Sequence, residues 1–392
     1  MSPDQGPIVS DQSISPLAAS RLESLRGLAA MQVAMFHCLL VVESCPIGQS
    51  LVAPAITVFN GQAAVTLFFV LSGFVLGLSL RRSTTSPGHI YGTFALRRLG
   101  RIYPAFLAVT FLTCVCLGIS NGMRQPTAST WVNDYFPETI TSRSLLRNLL
   151  LIDHTINKVT WTLRMEMFCS MLLPLLYLAG RLSRSLPLMM CLGSVALAFS
   201  SPNIVSIVVI PAFLIGYVLP STQYLWPKLH RPHWTGLALA AALLAFLLPR
   251  SHSSYLPLVT LLETSGAVIF IGMIAHGAHQ RVFVVLDRRF AKLAGRVSFS
   301  YYLIHPVCLI AVCQVCLDWL LATEWHPVVI AAILWAGSSA ISFPLAWLSY
   351  EWIEMPTIGL SKRLWPQNPG KLTCSHLGTT GREHASNKTD AP

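Results

Sequence analysis

The chain has 392 residues, of which 53% are hydrophobic and only 11% are charged. A soluble domain carries about 25% charged residues, so this composition excludes a soluble protein and indicates a chain with several membrane-spanning segments. The 27 basic residues outnumber the 16 acidic ones and give a formal net charge of +11. Most of the excess lies between apolar stretches, where it indicates membrane topology and not affinity for nucleic acid.

Three parts of the chain differ in composition. The first twenty residues are polar and lack a basic segment followed by a cleavable apolar core, so we expect no signal peptide. We expect a polar N-terminal tail over 1–20, a membrane domain over 21–358 and a disordered cytoplasmic tail over 359–392. The last part is polar and has no periodicity, which is typical of disorder.

Apolar stretches predict an all-α fold, a bundle of about ten transmembrane helices. Crossing a hydrocarbon core of about 30 Å takes roughly 20 apolar residues. Ten stretches approach this length, and the fifth and seventh are the shortest. The ten stretches cover 25–44, 61–80, 103–120, 161–180, 186–200, 203–219, 234–249, 256–276, 298–320 and 327–350.

The basic residues predict the orientation of these spans. With the N-terminus in the cytoplasm, 21 of the 27 Lys and Arg residues lie in cytoplasmic segments and five lie in outer segments, while Arg164 lies inside the fourth span. Because cytoplasmic loops are enriched in Lys and Arg, both termini are predicted to be cytoplasmic. The longest outer segment is 121–160, and structured loops of this length usually carry function.

The first span contains two ionisable residues, Arg26 at its head and His37 eleven residues later. Eleven helical steps leave the two side chains only about 20° apart around the axis and about 16 Å apart along it. Ionisable groups within a bilayer are costly and usually functional. The alternative is an interfacial anchoring Arg and a His that bonds to a neighbouring helix.

The fourth span begins WTLRMEMF and places Glu166 at a depth close to that of His37. A carboxylate beside an imidazole orients the ring and increases its basicity, as general-base catalysis requires. We therefore predict a contact between Glu166 and His37. The alternative is an ion pair with Arg164 or a separate structural contact.

Three arginines, Arg97, Arg98 and Arg101, lie at the cytoplasmic start of the third span. Clustered guanidinium groups bind phosphates through forked, charge-assisted hydrogen bonds. For this stretch alone, the simpler interpretation is a cytoplasmic flank that touches anionic lipid.

The remaining motifs lie in or next to the second, ninth and last predicted spans. The ninth span contains Tyr302 and His305, and Glu354 follows the last span. The second span contains the pattern Gly73-x-x-x-Gly77, which indicates close packing between helices.

In chain order these stretches resemble the acyltransferase 3 family of membrane acyltransferases, which acylate bacterial surface polysaccharides and related acceptors. The resemblance covers about residues 20–358. It rests on Arg26-x10-His37, LFFVLSGF at 67–74, Arg98-x-x-Arg101, Trp161 with Glu166, YYLIHP at 301–306 and Glu354-x-Pro356. One departure is Ala64-Val65-Thr66, where many members have Gly-Val-Asp.

The resemblance implies transfer of an acyl group, most often acetyl, from cytoplasmic acyl-CoA to a hydroxyl of a cell-surface carbohydrate, a glycolipid or a related acceptor. In the family the Arg-x10-His pair is essential, and the Arg-x-x-Arg motif is implicated in handling acyl-CoA. The predicted catalytic residues are His37, Arg26 and Glu166, the predicted acyl-CoA-binding residues are Arg97, Arg98 and Arg101, and the supporting residues are Tyr302, His305 and Glu354. We predict no metal site and no bound cofactor, and a location in the plasma (inner) membrane.

Two other functions are consistent with the same residues. Buried Arg, His and Glu side chains also form the proton relays of secondary transporters, although the chain shows no internal repeat of the kind that many transporters have. A membrane subunit of an export complex is the third possibility, and replacing His37 by Ala would leave such a subunit unaffected.

Overall fold

The computed structural model describes residues 14–43, 49–83, 86–119, 128–135, 137, 139–183, 185–222, 226, 232–247, 256–276 and 281–366. These residues form helices joined by turns, which confirms the predicted all-α fold class. The helices are α1 (Pro16–Glu43), α2 (Gln49–Val58), α3 (Gly61–Arg81), α4 (Pro87–Ile119), α5 (Thr130–Asn133), α6 (Ser142–Leu149), α7 (Thr160–Leu182), α8 (Leu186–Ser200), α9 (Val205–Val208), α10 (Ile210–Val218), α11 (Pro232–Phe246), α12 (Leu256–Ala275), α13 (Arg289–Ala322), α14 (Pro327–Ser349) and α15 (Met355–Leu364). A 3₁₀-helix covers Val282–Asp287, and a π-helical turn at Tyr350–Glu354 joins α14 to α15.

Within the described residues, eight helical segments are long and apolar enough to span a membrane. They are Pro16–Glu43, Leu51–Arg81, Gly88–Gly118, Thr160–Leu182, Val205–Thr222, Leu256–Ala275, Arg289–Ala322 and Pro327–Leu364. The fifth and seventh predicted spans correspond to the shorter apolar helices Leu186–Ser200 and Gly236–Phe246. Eight of the ten predicted spans are thus long enough to cross a bilayer, and the cytoplasmic placement of the termini stays a prediction.

Several helices extend beyond the apolar stretches that predicted them. α4 begins at Pro87 and α13 at Arg289, ahead of the predicted spans at 103 and 298. Hydropathy marks only the part of a helix that suits hydrocarbon, whereas the backbone hydrogen bonds continue into the polar flanks. For the same reason α1 begins within the predicted N-terminal tail, and α15 continues to Leu364. The remaining tail, 367–392, lies outside the described residues.

A pair of glycines sets the crossing of α1 and α13. A Cβ atom on Gly27 would lie 2.3 Å from the backbone nitrogen of Gly295, so only glycine permits this approach. Close backbone contact at small residues is a common way to pack helices in membranes. Arg26 of α1 contacts Ser298 of α13, and His37, later in α1, contacts His305, later in α13. The two helices therefore run in the same direction.

Glycines also join α3 to α10. A Cβ atom on Gly73 would lie 2.0 Å from the carbonyl oxygen of Phe213, and one on Gly216 would lie 2.1 Å from the carbonyl oxygen of Val70. The Gly73-x-x-x-Gly77 pattern therefore has the packing role that the sequence indicated.

Buried polar contacts fix the described part of the segment between α4 and α7. The Tyr135 hydroxyl donates to Oδ1 of Asn157 (3.0 Å) and accepts from the backbone N–H of Val159 (3.2 Å). Nδ2 of Asn157 donates to the carbonyl oxygen of Leu303 in α13 (3.0 Å). Burial raises the pKa of Tyr135 well above its usual value, so the hydroxyl keeps its proton for this bond. These contacts tie the segment to α13, and α5, which carries Trp131, packs in one apolar cluster with residues of the first helix of the bundle.

Candidate active site

A cavity of about 900 Å³ lies between α1, α3, α4, α7 and α13. Its apolar wall includes Phe68, Phe69, Leu71, Val75 and Leu76 of α3. Its charged lining consists of Glu23, Arg26, Arg82, Arg98, Arg101 and Glu166. Ligand sites typically have volumes of about 300–1,000 Å³ and combine apolar walls with a few polar groups, so this cavity is suited to an organic ligand that carries negative charge.

Arg98 and Glu166 form an ion pair at the cavity wall. Nη2 of Arg98 donates to Oε1 of Glu166, which also accepts from the hydroxyl of Ser72 (2.7 Å). Arg98 is buried, and its Nε atom has no hydrogen-bond partner among the described residues. An unsatisfied buried donor is costly, so this atom is available for an acceptor supplied by a ligand.

Arg101 differs from Arg98 although the two belong to one motif. Its side chain is exposed to the cavity, and no described residue forms a hydrogen bond or ion pair with its guanidinium group. The positive charges of Arg26 and Arg98 repel this guanidinium group, and the carboxylates of Glu354 and Glu166 attract it more weakly. A guanidinium group in this position is a binding site for an anionic group of a ligand.

Arg97, the third predicted phosphate-binding residue, does not line this cavity. It lies at a smaller pocket of about 110 Å³ with Ser361 and Lys362 of α15. Arg98 and Arg101 also border that pocket. The structure thus brings two of the three predicted arginines to the large cavity.

Arg26 lines the cavity and is held by α13. Its Nε donates to the hydroxyl of Ser298 (2.8 Å), which leaves the two terminal nitrogens of the guanidinium group for other partners. Glu354 interacts electrostatically with Arg26 and Arg101. The structure therefore places two predicted residues from distant parts of the chain, Arg26 and Glu354, around the same group of charges.

The π-helical turn explains how Glu354 reaches this position. Glu354 is only 4% exposed, and its Oε1 accepts from the hydroxyl of Ser300, which is also hydrogen-bonded to Ser349 (2.7 Å). Glu351, three residues earlier, is exposed. Isolated π-helical turns occur often at functional sites, where the extra residue redirects a side chain.

His37 pairs with His305. Nδ1 of His37 lies 2.9 Å from Nε2 of His305, and Nδ1 of His305 lies 3.2 Å from the carbonyl oxygen of Tyr301. The ring of Trp131 in α5 covers His37, with the ring centroids 4.9 Å apart. His305 is buried, whereas His37 retains part of its accessible surface.

The predicted contact between Glu166 and His37 is wrong. The carboxylate of Glu166 is engaged by Arg98 and Ser72, and the ring of His37 is engaged by His305. Similar depth in the bilayer does not make two residues neighbours, because the direction in which each side chain points around its helix also decides its partner. The alternative pair with Arg164 is not formed either, since Nη1 of Arg164 donates to the carbonyl oxygen of Ile152 (3.1 Å).

Tyr302 separates the cavity from the histidine pair. It lines the cavity, and its ring centroid lies 5.8 Å from that of His305 and 5.7 Å from that of Phe68. Its hydroxyl accepts a hydrogen bond from Thr162 (3.0 Å), which lines the cavity as well. Neither His37 nor His305 lines the cavity, so Tyr302 and Thr162 form the boundary on that side.

Thr66, in the stretch Ala64-Val65-Thr66, contacts a carboxylate from another helix. Its hydroxyl donates to Oε2 of Glu263 in α12 (3.0 Å), and Nδ2 of Asn60 donates to Oε1 (3.1 Å). Glu263 is completely buried. The same Asn60 caps α3 by accepting from the backbone N–H of Ala63 (3.0 Å), so the carboxylate helps to fix the start of α3.

Sequence reasoning did not predict the roles of Ser72, Thr162, Ser298 and Trp131. A hydroxyl inside an apolar span is the available signal, but it is ambiguous, since Ser and Thr also bond to carbonyls of their own helix. Thr110 does so in α4, where its hydroxyl donates to Phe106 (2.8 Å).

Comparison with known proteins gives two matches. A family model described as an acyltransferase domain, Acyl_transf_3, matches residues 20–350. Over 191 residues the chain is 31% identical to "Acyltransferase MdmB" of Streptomyces mycarofaciens. That alignment covers 47% of this chain and 46% of the relative, so it spans about half the length of each. No solved structure matches the chain.

Proposed function

We propose that this chain, which belongs to the acyltransferase 3 family and is a membrane acyltransferase, transfers an acetyl group from acetyl-CoA to a hydroxyl of a cell-surface carbohydrate or glycolipid. The proposal rests on the cavity of about 900 Å³. Its wall carries the guanidinium group of Arg101, to which no described residue forms a hydrogen bond or ion pair, and Tyr302 separates the cavity from the His37–His305 pair.

The cavity is suited to the donor. The phosphates of CoA would accept from the guanidinium group of Arg101, the orphan Nε of Arg98 and the terminal nitrogens of Arg26. The pantetheine arm would lie along the apolar wall of α3 and carry the thioester towards Tyr302. Glu166 would then hold Arg98 in place, a role different from the assistance to His37 that the sequence suggested.

His37 would act as the general base. Its imidazole takes the proton of the acceptor hydroxyl, the hydroxyl oxygen attacks the thioester carbonyl, the carbon–sulfur bond breaks, and the CoA thiolate takes the proton from the imidazolium. The thioester reaches His37 only when Tyr302 turns aside and its hydrogen bond with Thr162 opens. The acceptor would approach from the side of Trp131, because part of His37 is exposed although His37 does not line the donor cavity.

The same proposal sets the orientation in the membrane. Arg26 lies near the start of α1 and His37 lies eleven residues further on, so the donor enters from the end of the bundle where α1 begins. Acetyl-CoA is cytoplasmic, and the distribution of Lys and Arg predicts a cytoplasmic N-terminus as well. Inverted plasma-membrane vesicles should therefore consume added acetyl-CoA, whereas sealed right-side-out vesicles should not.

The direct test uses the full chain in membranes of cells that lack their own copy of the gene, incubated with radiolabelled acetyl-CoA. We expect alkali-labile label in the carbohydrate or glycolipid fraction with the wild-type chain and none with His37→Gln. His89→Gln is the matched control, since His89 is exposed and lies outside the cavity lining. It should label like the wild type.

Two outcomes would contradict the proposal. The first is an absence of label with the wild-type chain at an expression level confirmed by immunoblot. The second is full labelling by His37→Gln, which would remove His37 from the reaction. Proton-coupled uptake of a solute without acetyl transfer would instead support the transporter hypothesis.

A further inference from the structure

We infer that His305 is a positioning residue that fixes the tautomer of His37, so that His37 carries its proton on Nδ1 and presents the lone pair of Nε2 to the reaction. The inference rests on the proposed function for the transfer step. The arrangement of protons follows from the hydrogen bonds together with the burial of His305 and does not depend on the transfer step.

The carbonyl oxygen of Tyr301 fixes the proton on the ring of His305. A carbonyl oxygen can only accept, so Nδ1 of His305, 3.2 Å away, must carry a proton. In a neutral imidazole one nitrogen donates and the other accepts, so Nε2 of His305 is an acceptor. The contact of 2.9 Å between that atom and Nδ1 of His37 then requires a proton on Nδ1 of His37. His37 is left with its lone pair on Nε2.

The neutral state of His305 follows from its surroundings. His305 is only 2% exposed, and its ring contacts are Tyr301, Tyr302 and His37, with no carboxylate among the described groups that act on it. Burying a charge without a partner is costly, so the uncharged ring is favoured. A protonated His305 would donate from both nitrogens and would force the opposite tautomer on His37.

The backbone of α13 favours the same arrangement. Pro306 follows His305 directly and has no N–H group, so the carbonyl of Tyr302, four residues before it, lacks its usual helical donor. The ring of His305 interacts with this carbonyl as well as with that of Tyr301. The acceptor at Nδ1, the carbonyl of Tyr301, holds the proton on that atom and leaves Nε2 facing His37.

The arrangement resembles the outer partner of a catalytic histidine in hydrolases, where a third group holds the imidazole in its working tautomer. In this protein a backbone carbonyl acting through a neutral second histidine would supply that constraint. The crossing at Gly27 and Gly295 brings the two rings within hydrogen-bond distance.

The test compares His305→Gln with His305→Met. The two side chains have similar length, but only Gln offers an oxygen that accepts from Nδ1 of His37. In the labelling assay with acetyl-CoA, we expect kcat of the Met variant to be at least tenfold below that of the Gln variant. The apparent KM for acetyl-CoA should be unchanged in both, because His305 does not line the donor cavity. A loss that is equal in the two variants, or no loss in either, would overturn the inference.

A second measurement is independent of catalysis. Nitrogen-15 NMR of the full chain in lipid, labelled only at histidine and assigned by difference against His37→Gln, reports which ring nitrogen of His37 is protonated. We expect a proton on Nδ1 in the wild type and a loss of this preference in His305→Met. The opposite tautomer in the wild type would refute the inference even if acetyl transfer is demonstrated. Absence of transfer would refute the proposed function and leave the tautomer result to stand by itself.

Discussion

Replacing Arg101 by Met should weaken donor binding without unfolding the protein. Met has a similar length but no charge, and no described residue depends on the guanidinium group of Arg101 for a hydrogen bond or ion pair. The substitution therefore removes an interaction that exists only with a ligand bound. In contrast, Arg98→Met breaks an existing ion pair and leaves the carboxylate of Glu166 without its cation.

The expected magnitude follows from one charge-assisted hydrogen bond. Such a bond contributes about 1.5–3 kcal/mol, and about 1.4 kcal/mol corresponds to a tenfold change in affinity. Arg101→Met should thus raise the KM for acetyl-CoA by about 10- to 150-fold. Removing one partner of a buried ion pair costs about 3–5 kcal/mol of stability. The side chain of Glu166 is 25% exposed towards the cavity, so solvent reduces the loss for Arg98→Met below that range.

The assay measures initial rates against two donors, acetyl-CoA and S-acetylpantetheine. The second donor has the same thioester but none of the phosphates of CoA. If Arg101 binds phosphate, Arg101→Met raises the KM for acetyl-CoA and leaves the KM for S-acetylpantetheine unchanged. Thermal unfolding in detergent should show a lower midpoint for Arg98→Met and partial recovery when Glu166→Gln is added.

An unchanged KM for acetyl-CoA in Arg101→Met would refute this reasoning. An equal rise in KM for both donors would also refute it, because the effect would then not involve the phosphates. A wild-type unfolding midpoint for Arg98→Met would show that its ion pair with Glu166 contributes little to the fold.

Three further results are expected. Gly27→Ala should lower the free energy of unfolding by about 1–3 kcal/mol, because its Cβ would lie 2.3 Å from a backbone atom of α13. In the control variant Gly193→Ala the added Cβ would meet nothing within 4 Å, so thermal unfolding should show a wild-type midpoint. Trp131→Ala, which removes the ring against His37, should raise the KM for the acceptor but not for acetyl-CoA in the labelling assay. A hydrogen bond from a guanidinium group of α1 lowers the pKa of Asp287, so its stabilisation is present at neutral pH and lost as the pH falls through that lowered value. The difference in unfolding midpoint between the wild type and Asp287→Asn should therefore shrink as the pH falls below the ordinary Asp pKa of about 3.9 and disappear below the lowered pKa of Asp287.

The sequence by itself determined the class of molecule and most of its helices. A low fraction of charged residues and apolar stretches of about 20 residues require helices in a bilayer, because backbone groups in hydrocarbon must bond within their own segment. The two predicted spans that are too short to cross a bilayer in the structure are the two shortest apolar stretches of the sequence, and they correspond to the helices Leu186–Ser200 and Gly236–Phe246. The order and spacing of the ionisable residues also indicated the family, which the match over residues 20–350 confirms.

Only the tertiary structure decided which ionisable groups meet. Depth along a helix follows from counting residues, and it placed His37 and Glu166 at a similar level. Their partners depend on which faces of which helices pack together, and in the packing of α1 against α13 His37 lies beside His305. Glu166 projects from α7 towards α3 and α4 and is bound there by Ser72 and Arg98. Helix packing depends on close contacts between residues far apart in the chain, so a pattern read along one helix does not contain it.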